Sequence, residues 1–199
     1  MNQSSSSSAF AKLPPFFSVD AFARWLPLAL LMLATRFYHI GSAWHLPDAS
    51  WAIFFLGGFY LRPAFFALLA VEAVAIDFTF FAMGGSTYCL SSAYGFQLPA
   101  FAALWFGGYQ LVQQGRRDWR FFAIGVRNWW LAASVAYVLT NGSFYWLSGK
   151  FVDLNWATYA QNFSHWYAAF ISRPMLYLVL AAIMHAAMTQ AQRARLALR

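Results

Sequence analysis

The sequence predicts an all-α integral membrane protein of six transmembrane helices with both termini cytoplasmic. Three observations predict it: a composition too apolar for water, six apolar segments, and a one-sided placement of Lys and Arg. Of 199 residues, 61% are hydrophobic, 21% aromatic and only 10% charged. A globular domain carries about 25% charged and about 45 to 50% apolar residues, so this chain has too little polar surface to face water on all sides. The aromatic surplus, including 22 Phe, excludes intrinsic disorder of the chain as a whole. The net charge of +7 comes from 13 Lys and Arg against 6 acids. In a membrane chain such an excess marks cytoplasmic flanks, so the expected partner is lipid and not nucleic acid. Cys89 is the single cysteine, which rules out an intramolecular disulfide.

The elements follow in chain order. Residues 1–19 begin with a serine run and a Pro-Pro step, a composition that predicts a disordered polar tail. The apolar run that follows lacks a small-residue cleavage site, because Arg36, Phe37 and Tyr38 close it, so 21–40 reads as a first span and not as a secretory leader. The remaining apolar segments are 49–61, 64–83, 97–112, 121–147 and 166–188. A spanning helix needs about 20 residues, so the second segment is short enough to be re-entrant and the fourth is marginal unless 94–96 join it. Together these make a transmembrane domain over 20–190, with 191–199 as a basic cytoplasmic tail.

Charge placement decides between five and six spans, because Lys and Arg near span ends collect on the cytoplasmic side. With six, Lys12, Arg24, Arg62, the Arg116, Arg117 and Arg120 cluster, Arg127 and the C-terminal arginines fall inside, while the outer connections keep only Lys150. With five, the Arg116 cluster would face outward. Leu56-Gly57-Gly58-Phe59-Tyr60 and Phe106-Gly107-Gly108-Tyr109 resemble each other, a likeness too short to establish a duplication.

The outer connections are then 41–48, 84–93 and 148–164, and they gather most of the chemistry. His39 and His45 flank the first, Cys89 sits in the second, and His165 follows the third; only His185 falls near the inner side. Arg36, Asp77 and Arg173 lie in the outer halves of spans. A charge deep in a bilayer costs at least about 2.5 to 3.5 kcal/mol, so such groups pair or face a wet cavity. Asp77 is expected to pair with Arg36 or Arg173, either to lock the bundle or to meet a substrate. Glu72, near mid-span, can neutralise itself by protonation.

Cys89 lies among Gly84, Gly85, Ser86, Ser91 and Ser92, a flexible polar setting where a buried filler is not needed. A thiolate is a soft donor for a transition metal, yet no second thiol or His-x-x-x-His accompanies it, so the spacing is not that of a zinc site and no free metal ion is expected. A single thiol suits a metal that arrives with its other ligands attached. Tyr88 and Tyr94 bracket the cysteine and offer apolar ring faces with a hydroxyl. Trp44, Trp51, Trp146, Trp156 and Trp166 fit an interfacial belt.

Six helices in about 200 residues, an aromatic outer face and the lone cysteine in Thr87-Tyr88-Cys89-Leu90, with Tyr94 following, resemble the BtuM family of vitamin B12 transporters. That family is related to the substrate-binding S-components of energy-coupling factor transporters. The resemblance covers nearly the whole chain after the serine tail. It implies an S-component-like bundle in the bacterial inner membrane, binding cobalamin or a related corrinoid as substrate on the periplasmic side. It further implies Cys89 as the axial cobalt ligand, with thiol-assisted loss of bound cyanide as a possible activity. His39, Asp77 and Tyr94 would then lie close to the corrin, followed by Tyr88, His45 and Arg173. S-components that dock onto an energising module commonly carry Ala-x-x-x-Ala on the first helix. Here Ala29 and Ala34 are five apart with Leu30 four before Ala34, so dependence on that module does not follow. No Gly-x-x-x-x-Gly-Lys-Ser/Thr phosphate loop supplies energy within the chain. The alternatives are a membrane thiol enzyme using Cys89 with a nearby histidine, and an S-component-like carrier for a different vitamin.

Overall fold

The computed structural model describes residues 18–36, 46–114 and 119–197. It is all-helical among those residues, with α1 Val19–Arg36, α2 Ser50–Tyr60, α3 Ala64–Ala82, α4 Gln97–Gln113, α5 Trp119–Leu147, α6 Trp156–Ser172 and α7 Met175–Ala197. A 3-10 turn, Ser92–Phe96, leads directly into α4 and makes up the length that the fourth apolar segment lacks. The predicted disordered tail, His39, His45, Arg116 and Arg117 lie outside the described residues apart from 18 and 19.

Three helical stretches are long and apolar enough to cross a membrane: Ala64–Ala82, Trp119–Leu147 and the run Trp156–Leu196. α1 begins where the Ser18 hydroxyl accepts from the Ala21 amide at 3.1 Å and carries Pro27 inside it. Its inward stripe, Ala21, Ala29, Met32 and Arg36, follows helical spacing.

α2 has 11 residues, about 16 Å of helix against a hydrocarbon core of about 30 Å, so it cannot cross on its own. Burial compensates. Ser50, Ala52, Ile53, Phe54, Phe55, Gly57 and Gly58 are all enclosed, which is the condition under which a helix can end at membrane depth. Its partner in closest approach is α4. A Cβ on Gly58 would sit 1.9 Å from the Trp105 carbonyl oxygen, and one on Gly108 would sit 1.8 Å from that of Phe55. The two contacts are reciprocal. The short likeness between residues 56–60 and 106–109 is thus a packing motif in which each glycine pair seats the other helix's backbone.

α3 ends in a Schellman motif: Gly84 adopts φ +87, its amide donates to Phe81 O at 3.1 Å, and the Gly85 amide donates to Phe80 O at 3.0 Å. A side chain at Gly84 would be strained by that φ, so the glycine is what turns the chain sharply from α3 into the segment holding Cys89.

The last third corrects the predicted boundaries. Residues 148–164 were expected as a connection and 166–188 as one span. Instead α6 starts at Trp156, because the Asn155 side chain accepts from the Thr158 amide at 2.8 Å and caps it. Tyr159, Phe163, Tyr167 and Phe170 then recur at helical spacing, and the last three ring-stack around Tyr137 of α5 with centroids 4.7 to 5.6 Å away. The run breaks at Pro174, which has no N–H to continue the ladder. The expected sixth helix is therefore two, and the described chain has seven α-helices. α7 continues as helix through 191–197, the basic segment after the span.

α6 runs back along α5, with Tyr145 against Asn155, Tyr137 against Phe163 and Trp129 against Ile171. α7 runs along α2: the Tyr177 hydroxyl donates to Pro47 O at 2.5 Å and Tyr60 shares a 3.1 Å hydrogen bond with His185 Nδ1.

Candidate functional site

One end of the bundle collects polar side chains from four elements around Arg36. Its Nε donates to Asp77 Oδ1 at 2.8 Å and its Nη2 to Asp77 Oδ2 at 2.6 Å, a two-pronged pair. Nη2 also donates to Gln97 Oε1 at 2.9 Å, and Nη1 to Ser50 Oγ at 3.0 Å and Asp48 Oδ2 at 3.3 Å. Tyr94 completes the set by donating its hydroxyl to Asp77 Oδ2 at 2.8 Å. Arg36 and Asp77 are 6% and 5% exposed, so both charges are taken out of solvent and are compensated there by one another and by the polar groups around them.

Each group arrives for a local reason. Arg36 closes α1, where a cation meets the carbonyl end of the helix. Asp48 forms an Asx turn, its Oδ1 accepting from the Ser50 amide at 2.9 Å and hydroxyl at 2.6 Å, which starts α2. The Thr35 hydroxyl accepts from the Ala49 amide at 3.1 Å and ties that start to α1. The ring of Phe101, stacked on Phe54 at 4.0 Å, lies 5.7 Å from the Arg36 guanidinium and gives the network an apolar floor.

Cys89 lies at this same end, exposed, in the segment that leaves α3. Its pKa is raised, first by desolvation and then by the Asp77 charge, against which Arg36 and Lys150 act to lower it. Tyr88 beside it packs its ring on Phe144 of α5 at 5.6 Å and under the Lys150 ammonium at 5.2 Å. The Ser92 hydroxyl donates to Leu147 O, so the cysteine segment is tied to the end of α5 at two points. Beyond it stand the rings of Tyr145, Trp146, Trp156 and Tyr159, with Trp146 and Trp156 at 4.8 Å.

Of the expected site residues, the structure thus joins Asp77 and Tyr94 in one network and brings Cys89 and Tyr88 to the same end. Asp77 pairs with Arg36 and not with Arg173, which caps the end of α6 and is exposed. His39 and His45 lie outside the described residues. His165 is exposed with its ring against Trp166, and His185 meets Tyr60 at the far end of α2. Among the described residues no three His, Cys, Asp or Glu side chains converge as ligands for a bare metal ion.

Sequence reasoning missed Asp48, Ser50 and Gln97. Asp48 and Ser50 carried a signal, since Asp-x-Ser at a helix start is a turn pattern. Gln97 read only as the polar first residue of a span. An apolar groove of about 360 Å³ lies elsewhere, between α3 and α4 toward the opposite end, lined by Pro63, Phe66, Ala102, Trp105, Phe106 and Tyr109. It holds no chemistry. Comparison with known protein families and with curated proteins finds no match to the chain.

Proposed function

We propose that the chain is a substrate-binding and transport protein for cobalamin or a related corrinoid. In this reading it crosses a bacterial inner membrane six times, with both termini cytoplasmic and the Cys89 end periplasmic. The observation that carries it is the exposed Cys89 thiol standing at the end of the bundle where Arg36, Asp77 and Tyr94 meet. The three long apolar stretches support the membrane assignment. The pairing of α6 with α5 and of α7 with α2 supports the six-crossing path, with the α6–α7 run serving as the last crossing.

The chemistry follows from the thiol. Sulfur is a soft donor and cobalt in a corrin arrives with its equatorial ligands in place, so one protein ligand suffices. As the cobalt–sulfur bond forms, the Cys89 proton is released and one axial ligand departs. For a cyanide-bearing corrinoid the two leave together as hydrogen cyanide, with no change in the oxidation state of cobalt. The Arg36–Asp77–Tyr94 network presents fixed dipoles below the ligand, Tyr88 supplies a ring face, and the Trp146 and Trp156 indoles form an aromatic wall. His39, His45 and Arg173 are secondary candidates for the corrin's amide rim.

Growth of a bacterial strain that lacks its own cobalamin importer tests uptake. The full chain should restore growth on nanomolar-range cobalamin and the Cys89→Ala variant should restore it poorly. Failure of the wild-type chain, expressed and membrane-inserted, to restore growth would remove the transport reading.

A further inference from the structure

A second ionisable group sits in the apolar part of the bundle and belongs to no network. Glu72 is the ninth of the 19 residues of α3 and is half-buried, and its Oε2 atom is buried with no hydrogen-bond partner. It continues the stripe Phe65, Leu69, Glu72 and Ile76, whose other three members are 0 to 5% exposed. That stripe meets α1, since Phe22 packs on Phe65 with centroids 6.2 Å apart while Arg36 holds Asp77 at the other end. These two contacts run α1 and α3 side by side in the same direction. Trp25 of α1 has an indole Nε1 that is also buried without an acceptor. An orphan donor and an orphan acceptor thus stand on neighbouring helices.

An unpaired carboxylate cannot be kept in such a place at low cost, because an isolated charge in a medium of low polarity takes a proton instead. The ionisable groups on the packed elements do not relieve it by position. Arg36, Asp48 and Tyr94 are committed to the Asp77 network, about 7 Å further along α3 by helical rise. Asp20, Arg24, Tyr60, Arg62 and Tyr109 belong to the opposite half of the bundle.

We propose that Glu72 is a proton-binding site within the membrane domain, and that the proton it carries energises uptake in a chain with no phosphate loop of its own. The step is a simple one: the carboxylate takes one proton from the aqueous phase on the substrate-binding side and returns it to the other, with no redox change. The coupling half of the proposal rests on the transport reading above; the proton site itself does not.

Two measurements on the full-length protein test it. Dicyclohexylcarbodiimide enters bilayers and couples only to protonated carboxyls, so peptide mass spectrometry should find its adduct on Glu72. Labelling should slow about tenfold per pH unit once the carboxyl is mostly ionised, and Glu72→Gln should abolish it. In proteoliposomes an imposed pH gradient, acid on the binding side, should drive cobalamin accumulation by wild type, while Glu72→Gln binds cobalamin with unchanged affinity and does not accumulate it. A Glu72 that resists the carbodiimide at every pH while Glu72→Gln folds normally, or a Glu72→Gln variant with the same gradient-driven uptake, would overturn the proposal. If wild type binds no cobalamin the transport reading fails, and the labelling result still decides whether Glu72 binds a proton.

Discussion

The guanidinium of Arg36 grips both carboxylate oxygens of Asp77, at 2.8 and 2.6 Å, across 41 residues of sequence and inside the bundle. The pair fastens the end of α1 to α3 and presents the second oxygen of Asp77 to Tyr94, so one ion pair sets both the helix register and the floor of the candidate site.

Removing Asp77 leaves the buried Arg36 charge with only its 3.3 Å contact to the partly exposed Asp48, and losing one partner of a buried pair costs about 3 to 5 kcal/mol. Asp77→Ala should therefore lower the thermal midpoint of the detergent-purified protein more than the double variant Arg36→Leu with Asp77→Leu. The double variant leaves Asp48 alone, and Asp48's side chain is 34% exposed and tolerates that loss. Equal losses in the two variants would mean that the pair works as packing and not as charge.

The α2–α4 crossing predicts a sharp contrast among glycines. Gly58→Ala and Gly108→Ala place a methyl within 2 Å of a carbonyl oxygen, and overpacking of this kind costs about 1 to 3 kcal/mol. Gly95→Ala meets nothing within 4 Å and should be neutral. Thermal unfolding followed by tryptophan fluorescence reads all three.

Burial and the Asp77 charge raise the pKa of Cys89 and so disfavour its thiolate. Alkylation by iodoacetamide should accelerate about tenfold per pH unit until pH passes above the ordinary thiol range. Where the departing axial ligand is water the thiol proton goes to solvent and corrinoid affinity should rise over the same interval, whereas for a cyanide-bearing corrinoid the proton leaves with cyanide and affinity should stay level there. Lys150→Met removes a charge that favours the thiolate and should slow alkylation at fixed pH; an unchanged rate would show that the Lys150 field does not reach the sulfur.

The cap at Asn155 accounts for the early start of α6. Asn155→Ala should cost about 1 kcal/mol, as losses of N-cap side chains do, and should raise amide hydrogen exchange over the first turn after Trp156. Exchange unchanged there would place the start of α6 under the control of its aromatic stripe instead.

Legibility in the sequence varied with the kind of force involved. α1, α3 and α5 were readable because long apolar runs bounded by charge have few alternatives in lipid. α6 was not, since Gln161, Asn162, Ser164 and His165 make 156–165 look like a polar loop, while the helical recurrence of Tyr159, Phe163 and Tyr167 carried the opposite message. Asp77 needed a cation, and sequence left Arg36 and Arg173 both eligible; the choice depends on the register that Phe22 and Phe65 impose between α1 and α3. Gly58 and Gly108 stood out in the sequence as a repeated pair, but that each accepts the other helix's carbonyl is a property of the crossing alone. Cys89 was found from its polar, glycine-rich neighbours, and the structure does leave it exposed.

The central claim is that Cys89 takes cobalamin through its cobalt, and the visible absorption spectrum of the protein purified with cyanocobalamin tests it most directly. The wild-type protein should carry the corrinoid in near-stoichiometric amount with its bands shifted from those of the free compound, and Cys89→Ala should lose the shift and most of the bound pigment. A Cys89→Ala protein that keeps the same shifted spectrum and the same affinity would contradict the account.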